Sequence, residues 1–417
     1  MENKFDVIVI GGGFSGVAAA LAAAREGMNV LLAEKSNCFG GAAVNCLVNP
    51  FMRFTTYGDE KLLSAGIFKT ILEELAKENA YIHKKDHYFD EEVLKLVLNR
   101  MVINAGVTPL FHSYLTSAEV ENGKIKSVVL SGKSGNIRFY ADYFIDCTGD
   151  ADLAVMAGCG YMLGRPEDNL CQPMTLCFRV GNVDTDAFWA DYKRLNTIYK
   201  QQKAEGKIRN CREDILAFST LADNVIHFNS TRIVKLNPTD VFDLTKAEIE
   251  AREQAFELFK FIKANSESFK NASMISTASE IGIRESRMIN GLYTITQDDL
   301  LNCRKFNDGI AACNYDIDIH NPEGSGTSHY LFAPGTYYTI PYRCLCPDKT
   351  TNLLVGGRCI SADHAAQASL RIMPTVCTLG EAAGVGAAVA FKQKSGVADA
   401  DIKTIQKILR QNNAVID

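Results

Sequence analysis

Apolar and polar positions fall into blocks whose period changes along the chain. Residues 5 to 10, FDVIVI, are an apolar, β-branched run, which predicts a strand buried on both faces. Residues 14 to 25 are Ala-rich and predict a helix that ends at Gly27. Residues 29 to 33 predict a second apolar strand. Between residues 59 and 106 the pattern is helical: Leu62, Leu63, Ile67, Ile71, Leu72 and Leu75 recur at helix spacing, then Val93, Leu96, Val97 and Met101. Residues 107 to 111 return to strand. Residues 115 to 120, 124 to 130 and 137 to 140 alternate as a three-stranded meander, with turns at Asn122-Gly123 and Ser134-Gly135. A further apolar strand ends in Asp146-Cys147-Thr148-Gly149-Asp150. From about Val180 the pattern changes. Residues 184 to 222 are polar and aromatic, residues 224 to 229 read as a strand, and residues 245 to 265 as a long helix with Phe256, Leu258, Phe259 and Ile262 inward. Strands at 337 to 343 and 353 to 355 precede an Ala/Gly-rich helix over 375 to 391.

Strand, helix, strand in that order predicts an α/β fold: a Rossmann-like domain with a central parallel sheet and a small β-meander. The expected division is a discontinuous domain of residues 1–180 and 335–417, with an inserted α+β cap over 181–334. The 417 residues are enough for both.

The turn between the first strand and helix is GGGFSG. Gly11, Gly13 and Gly16 fill the G-x-G-x-x-G pattern, in which the glycines allow the tight turn, the approach of a pyrophosphate and close helix packing. The helix start offers free amides to an anion. Glu34 ends the second strand, where a carboxylate accepts hydrogen bonds from a ribose diol; an acid there argues against a ribose 2′-phosphate. Gly40 and Gly41 offer a second backbone approach, which suits a long dinucleotide such as FAD.

Composition narrows the picture. The net charge of −5 and the lack of a Lys/Arg cluster give no electrostatic case for nucleic acid. No charge-free stretch of membrane-spanning length stands out. The thirteen cysteines are scattered and contain no C-x-x-C; Cys344 and Cys346 read as strand thiols, and no metal site is expected. With the first strand beginning within five residues of Met1, the thiols are expected to be reduced and the protein cytoplasmic.

The segment GGGFSG…E…GG resembles the N-terminal half of the glutathione-reductase-type FAD proteins. Where disulfide reductases of that superfamily carry two cysteines, this chain has Ala43 and Val48, with Cys46 alone between them, which argues against dithiol chemistry. GGGFSG, FGGAAV, DCTGDADLA, IHFNSTR, IRESRMINGLY, IPYRCLCP, LLVGGRCIS and HAAQASLRIMPTVCTLGEAAG together resemble a family of bacterial FAD-dependent oxidoreductases near the fumarate-reductase-type flavoproteins. The resemblance implies that Gly11, Gly13, Gly16, Gly40 and Gly41 back the pyrophosphate, that Glu34 holds the adenosine ribose and Lys35 flanks the adenine, and that Leu115 offers backbone to it. It implies that Thr148, Gly149 and Asp150 complete that end. Gly357 and Arg358 sit where relatives carry a Gly–acid pair, and the arginine suggests a salt bridge to phosphate instead. Thr375 and the stretch Gly380 to Gly384 are implied to bring helix amides near the flavin pyrimidine edge, although these glycines equally suit close approach to another helix.

Flavin chemistry pairs hydride transfer with an acid or base. His364 is the first candidate for that proton and His227 the second. Arg232, Arg343 and Arg371 are candidates to clamp a substrate carboxylate, with internal ion pairing as the alternative for each. No second nucleotide-binding unit follows, so the flavin is expected to exchange electrons with the substrate, a transiently docking nicotinamide or a protein electron carrier. The expected activity is dehydrogenation or reduction of a C–C or C–O bond in a small polar metabolite, anionic if the clamp forms. A flavin monooxygenase, or an FAD-binding electron-transfer subunit, are the alternatives.

Overall fold

The computed structural model describes residues 3–81 and 87–417. The opening of the chain follows the hydrophobic pattern: β1 (Lys4–Ile10), α1 (Phe14–Arg25) and β2 (Val30–Ala33). Of the helical stretch expected over 59 to 106, residues 82–86 lie outside the described residues. The rest holds α2 (Ile67–Lys77) and α3 (Glu91–Asn104), the latter capped by the Asp90 carboxylate on the amides of Glu92 and Val93. Leu62 lies in a bridge to Thr55 instead.

Next come β3 (Thr108–Leu110), β4 (Tyr114–Glu121), β5 (Lys124–Gly132) and β6 (Gly135–Asp146). The expected third meander strand and the strand ending at Asp146 are one continuous element. The first half of β6 pairs antiparallel with β5; its second half pairs parallel with β1. Sheet order is β3-β2-β1-β6-β5-β4. One strand thus belongs to both the meander and the parallel sheet, which fixes the two rigidly to each other.

The inserted part is built on an antiparallel sheet. Its strands are β7 (Phe178–Gly181), β8 (Ala217–Phe218), β9 (Ile226–Phe228) and β10 (Ser273–Thr277), flanked by α4 (Thr185–Ala204) and α5 (Val241–Asn265). Phe178, Val180, Ile226 and Phe228 face α4 and α5 in a separate apolar core. By the two-residue alternation of a strand, Arg179 and its cross-strand partner His227 face the other way, where Arg179 pairs with Glu91 of α3. Residues 289 to 345 contribute to the main core, so the second core is narrower than the 181–334 block expected. Phe256 on α5 is outward, contrary to expectation, while Leu258 and Ile262 are buried.

The chain returns through β11 (Leu353–Val355), parallel to the end of β6, then α6 (His364–Leu370) and α7 (Met373–Gln393). The expected strand at 337 to 343 is shorter, Tyr338–Pro341, and Cys344 lies in the helical turn that follows it; both Cys344 and Cys346 are buried thiols. α7 is apolar and long enough to cross a membrane by length and composition, but 89% of its apolar window is buried inside the protein. It lies along α1, and together they close one face of the parallel sheet.

Candidate functional site

The glycine turn has the geometry its pattern implies. Gly11 has φ of 97°, and a Cβ there would stand 2.4 Å from the Cys147 carbonyl oxygen. A Cβ on Gly16 would stand 1.7 Å from the Gly11 carbonyl oxygen, so the helix enters directly under the turn. Gly13 differs: a Cβ there would meet only Gly41, at 3.8 Å. The Gly40 amide donates to the Gly12 carbonyl at 2.9 Å, which seats the second glycine pair against the first. No side chain caps α1 and no acid lies in its first turn. Open space at Gly13, a second glycine backbone opposite and uncapped helix amides make a cradle that fits a pyrophosphate.

Glu34 is buried at the end of β2. One carboxylate oxygen accepts the Gly12 amide at 2.5 Å, the other the Ser36 amide at 2.8 Å. Each oxygen retains a lone pair for a ribose hydroxyl. Lys35 instead reaches across to the inserted part, pairing with Glu280 at 3.0 Å. Leu115 is buried near the start of β4, and the amides of His112 and Ser113 just before it bond the carbonyls of Ser36 and Glu34. That places β4 beside the Glu34 end of β2.

Beyond β6, the Asp146 carboxylate accepts the amide and hydroxyl of Thr148 and the amide of Ala154. Burial pushes its pKa up to about 6. Gly149, at φ of 84°, lies flat under Arg358: a Cβ would stand 2.4 Å from the guanidinium. Arg358 follows Gly357, which has φ of 98°. The expectation of a phosphate partner for Arg358 needs correction: its guanidinium pairs with Asp150 at 2.6 Å, and Asp150 also accepts the Ser286 hydroxyl. Only its Nε is buried without a partner.

Two glycines of α7 follow the second of their two expected readings, close approach to another helix, and not the flavin edge. A Cβ on Gly380 would lie 2.0 Å from the Ser15 carbonyl oxygen, and one on Gly384 2.2 Å from that of Ala19. Both serve the α1–α7 crossing. Their amides lie in the helix interior, where hydrogen bonding is already complete; only the first turn, at Met373 and Thr375, has amides to offer. Thr375 is buried there, its hydroxyl against the Cys313 thiol at 3.4 Å.

Of the two histidines, His364 begins α6 with its Nδ1 2.7 Å from Glu285. Glu285 is fully buried, and its second oxygen accepts the Gln172 amide at 2.8 Å. A carboxylate at Nδ1 fixes the proton there and leaves Nε2 free to take or hold one. His227 is corrected. Both its ring nitrogens are buried without a partner, and burial, with Arg179 alongside, pulls its pKa down to about 3. At neutral pH it has no proton to give and is too weak a base to accept one.

The arginines also separate. Arg343 is half exposed, paired with Asp308 at 2.8 Å and stacked over Tyr293, so it takes no part in a clamp. Arg232 is buried and spent on the carbonyls of Gly324 and Gly326, on Glu213 and on His320 Nδ1. Arg371, at the turn between α6 and α7, meets the Asp318 carboxylate at 3.7 Å and keeps its Nε unpartnered. Arg284 is the centre of the group. Among the described residues it bonds only neutral acceptors, the Pro173 backbone carbonyl at 2.7 Å, the Thr175 hydroxyl and the Asn229 side-chain carbonyl at 3.4 Å. Burial lowers its pKa to about 9, and Arg371 and Arg212 add to the effect. His320 beside them is pulled down to about 3, by burial and then by Arg284. Burial opposes ionisation of Asp318, yet His320 and Arg371 hold its carboxyl well below the usual range.

Glu285, Asp318, His320, Arg212 and Gln172 escaped sequence reasoning. Glu285 and His364 are 79 positions apart, and nothing local to either marks the pair. Gln172 and Gln367 bond at 3.1 Å, and Gln367 holds the Arg284 carbonyl at 2.8 Å, linking the arginine cluster to α6.

Three comparisons bear on identity. The sequence model of the FAD dependent oxidoreductase family matches residues 6–409. The thiamine thiazole synthase of Methanococcus aeolicus is 29% identical over 168 residues, 37% of this chain and 59% of that protein, so the match covers less than two thirds of the relative. Among solved structures, a geranylgeranyl bacteriochlorophyll reductase-like protein from Thermoplasma acidophilum superposes with a TM-score of 0.48 at 14% identity, over 98% of this chain and 83% of that one. For p-nitrophenol 4-monooxygenase from Pseudomonas putida the TM-score is 0.46 at 10% identity, over 98% and 66%. By the family match, which spans nearly the whole chain, this protein belongs to the FAD dependent oxidoreductase family and is an FAD-dependent enzyme.

Proposed function

We propose that the protein moves hydride between bound FAD and a small polar metabolite carrying a carboxylate, and that Arg284 and Arg371 grip that carboxylate. The observation that carries this reading is Arg284: a largely enclosed cation with no carboxylate within ion-pair distance among the described residues. An arginine of that kind is costly to leave unpaired, and a bidentate oxyanion is the partner its geometry suits. Arg371, two residues before α7, stands beside it with an unpartnered nitrogen.

In this reading the Gly11–Gly16 turn, Gly40, Gly41 and Glu34 hold the dinucleotide, and the first turn of α7 faces its ring end. FAD, when bound, supplies the hydride acceptor or donor. The protein's own part is to fix the substrate carboxylate, exclude water under the inserted sheet, and hold or move one proton at His364 Nε2. Glu285 keeps His364 in the tautomer that leaves that nitrogen free. The reacting bond is a C–C or C–O bond, with electrons exchanged with the substrate, a docking nicotinamide or a protein carrier. The thirteen free thiols support a reducing compartment, the cytoplasm.

The test is a titration of the FAD-loaded protein with short carboxylic acids and their amides, read from the flavin absorption bands. The acids should perturb the spectrum and the amides should not, and Arg284→Met should weaken acid binding by about 100-fold without loss of FAD. Equal response to acids and amides, or an unchanged affinity in Arg284→Met, would remove the anionic substrate. Anaerobic addition of NADH then shows whether a nicotinamide feeds the flavin.

A further inference from the structure

The outer face of α5 is out of keeping with a surface helix. Phe242 is 81% exposed, Ile249 63% and Phe256 44%. They stand seven residues apart, so they line up in one stripe along about 20 Å of helix. The opposite face of α5 is already buried by Ala247, Ala251, Ala255, Leu258 and Ile262, so the stripe is a second apolar face, not a misaligned core face. Charged residues run along one edge of it: Lys246, Glu253 and Lys260. All three are exposed, and none has an ion-pair partner among the described residues.

We propose that this face is the interface of a two-fold symmetric dimer in which α5 packs antiparallel against α5 of a second copy. The argument is self-complementarity. A two-fold interface brings residue i against j and j against i, so the patch must match its own reverse. With the axis at Ile249, the two Ile249 side chains meet, and Phe242 of each copy covers Phe256 of the other. On the shared edge, Lys246 comes beside Glu253 of the other copy. Lys246 and Glu253 each meet their opposite along this edge and neither meets its like. A parallel pairing in register would set Lys246 on Lys246 and Glu253 on Glu253. One helix pair lies near the low end of stable interfaces, about 1,200 Å² in total, so a micromolar dissociation constant is expected.

Sedimentation velocity of the full-length, FAD-loaded protein from about 1 to about 100 µM tests this. A monomer–dimer equilibrium is expected across that range. Ile249→Glu places two carboxylates on the axis and should give monomer throughout, with flavin content and melting temperature unchanged. Lys246→Glu should raise the dissociation constant about tenfold, and adding Glu253→Lys should restore it. A wild-type chain that stays monomeric at the highest concentration overturns the proposal, which is the result if a different protein or a lipid surface covers this face. A dimer that survives Ile249→Glu overturns it too, as does a double charge swap that fails to restore association.

Discussion

Glu381 carries a carboxyl into the interior of α7, where it is fully buried. One oxygen accepts the Ile67 amide at 3.0 Å and so caps α2, which has no cap of its own; the other has no partner. Burial pushes its pKa up to about 7 from an ordinary 4.5. The folded protein therefore holds this proton more tightly than the unfolded chain does. Stability from this group is complete below about pH 4.5, falls as pH rises through about 7, and is lower by about 3 kcal/mol above that. Glu381→Gln keeps an acceptor for Ile67 and cannot ionise. Its melting temperature relative to wild type should rise between about pH 5 and about pH 8.5, and a constant difference across that range would show that the carboxyl ionises in the fold as readily as in the unfolded chain. None of this is visible in the sequence, where Glu381 is one acid in an Ala/Gly-rich helix. The same holds for His227 and His364. As letters both stood as candidates, His364 first and His227 second; what separates them is a carboxylate beside one and an arginine beside the other.

Elements fared better where their partner is local. β1, α1 and β2 could be drawn from the chain because strand, glycine turn and helix sit within thirty residues. For Gly380 and Gly384 the chain offered close approach to another helix or to the flavin, and could not choose between them or name the helix, because their partner α1 lies more than 350 positions away. The structure shows that they let two backbones touch. Gly384→Val would drive a branched side chain into the Ala19 carbonyl and the Ala22 methyl, at 2.2 and 2.8 Å from its Cβ. The expected loss is about 3 kcal/mol or more in urea unfolding, with FAD retention falling alongside because α1 carries the glycine turn. Gly324→Ala, where a Cβ meets nothing within 4 Å, should change stability by less than about 0.5 kcal/mol. A Gly384→Val protein of normal stability would mean the two helices can separate freely. The one residue of α5 placed on the wrong side, Phe256, belongs at this scale as well. The pattern of α5 has two apolar stripes, and periodicity alone does not say which one meets the core.

At the scale of the whole molecule, the two parts are joined by polar contacts as well as packing. Glu91, in the first turn of α3, is paired with Arg179 on β7 and also accepts from Asn49 at 2.7 Å. Glu91 is almost wholly buried, so removing its partner strands a charge. Arg179→Met should cost about 3–5 kcal/mol, and combining it with Glu91→Gln should recover most of that. The measurement is urea unfolding followed by flavin fluorescence and by far-UV dichroism. Loss of flavin well before loss of dichroism would show that the inserted part lifts off first. Full stability in Arg179→Met would mean the pair is not a joint between the parts.

Strand and helix periods, the G-x-G-x-x-G turn and an acid at the end of the second strand determined the α/β class and the dinucleotide cradle. Those features are short in sequence, and their chemistry is carried by backbone that neighbouring residues position. Only the tertiary structure decided the rest. It decided that β6 is one strand serving two sheets, because pairing partners and not local propensity set where a strand ends. It gave Arg358 to Asp150, put Arg343 on the surface and gathered Arg212, Arg232, Arg284 and Arg371 around Asp318 and His320. Which charge is neutralised and which is left over depends on distance and burial between remote residues, and those are fixed only when the chain is folded.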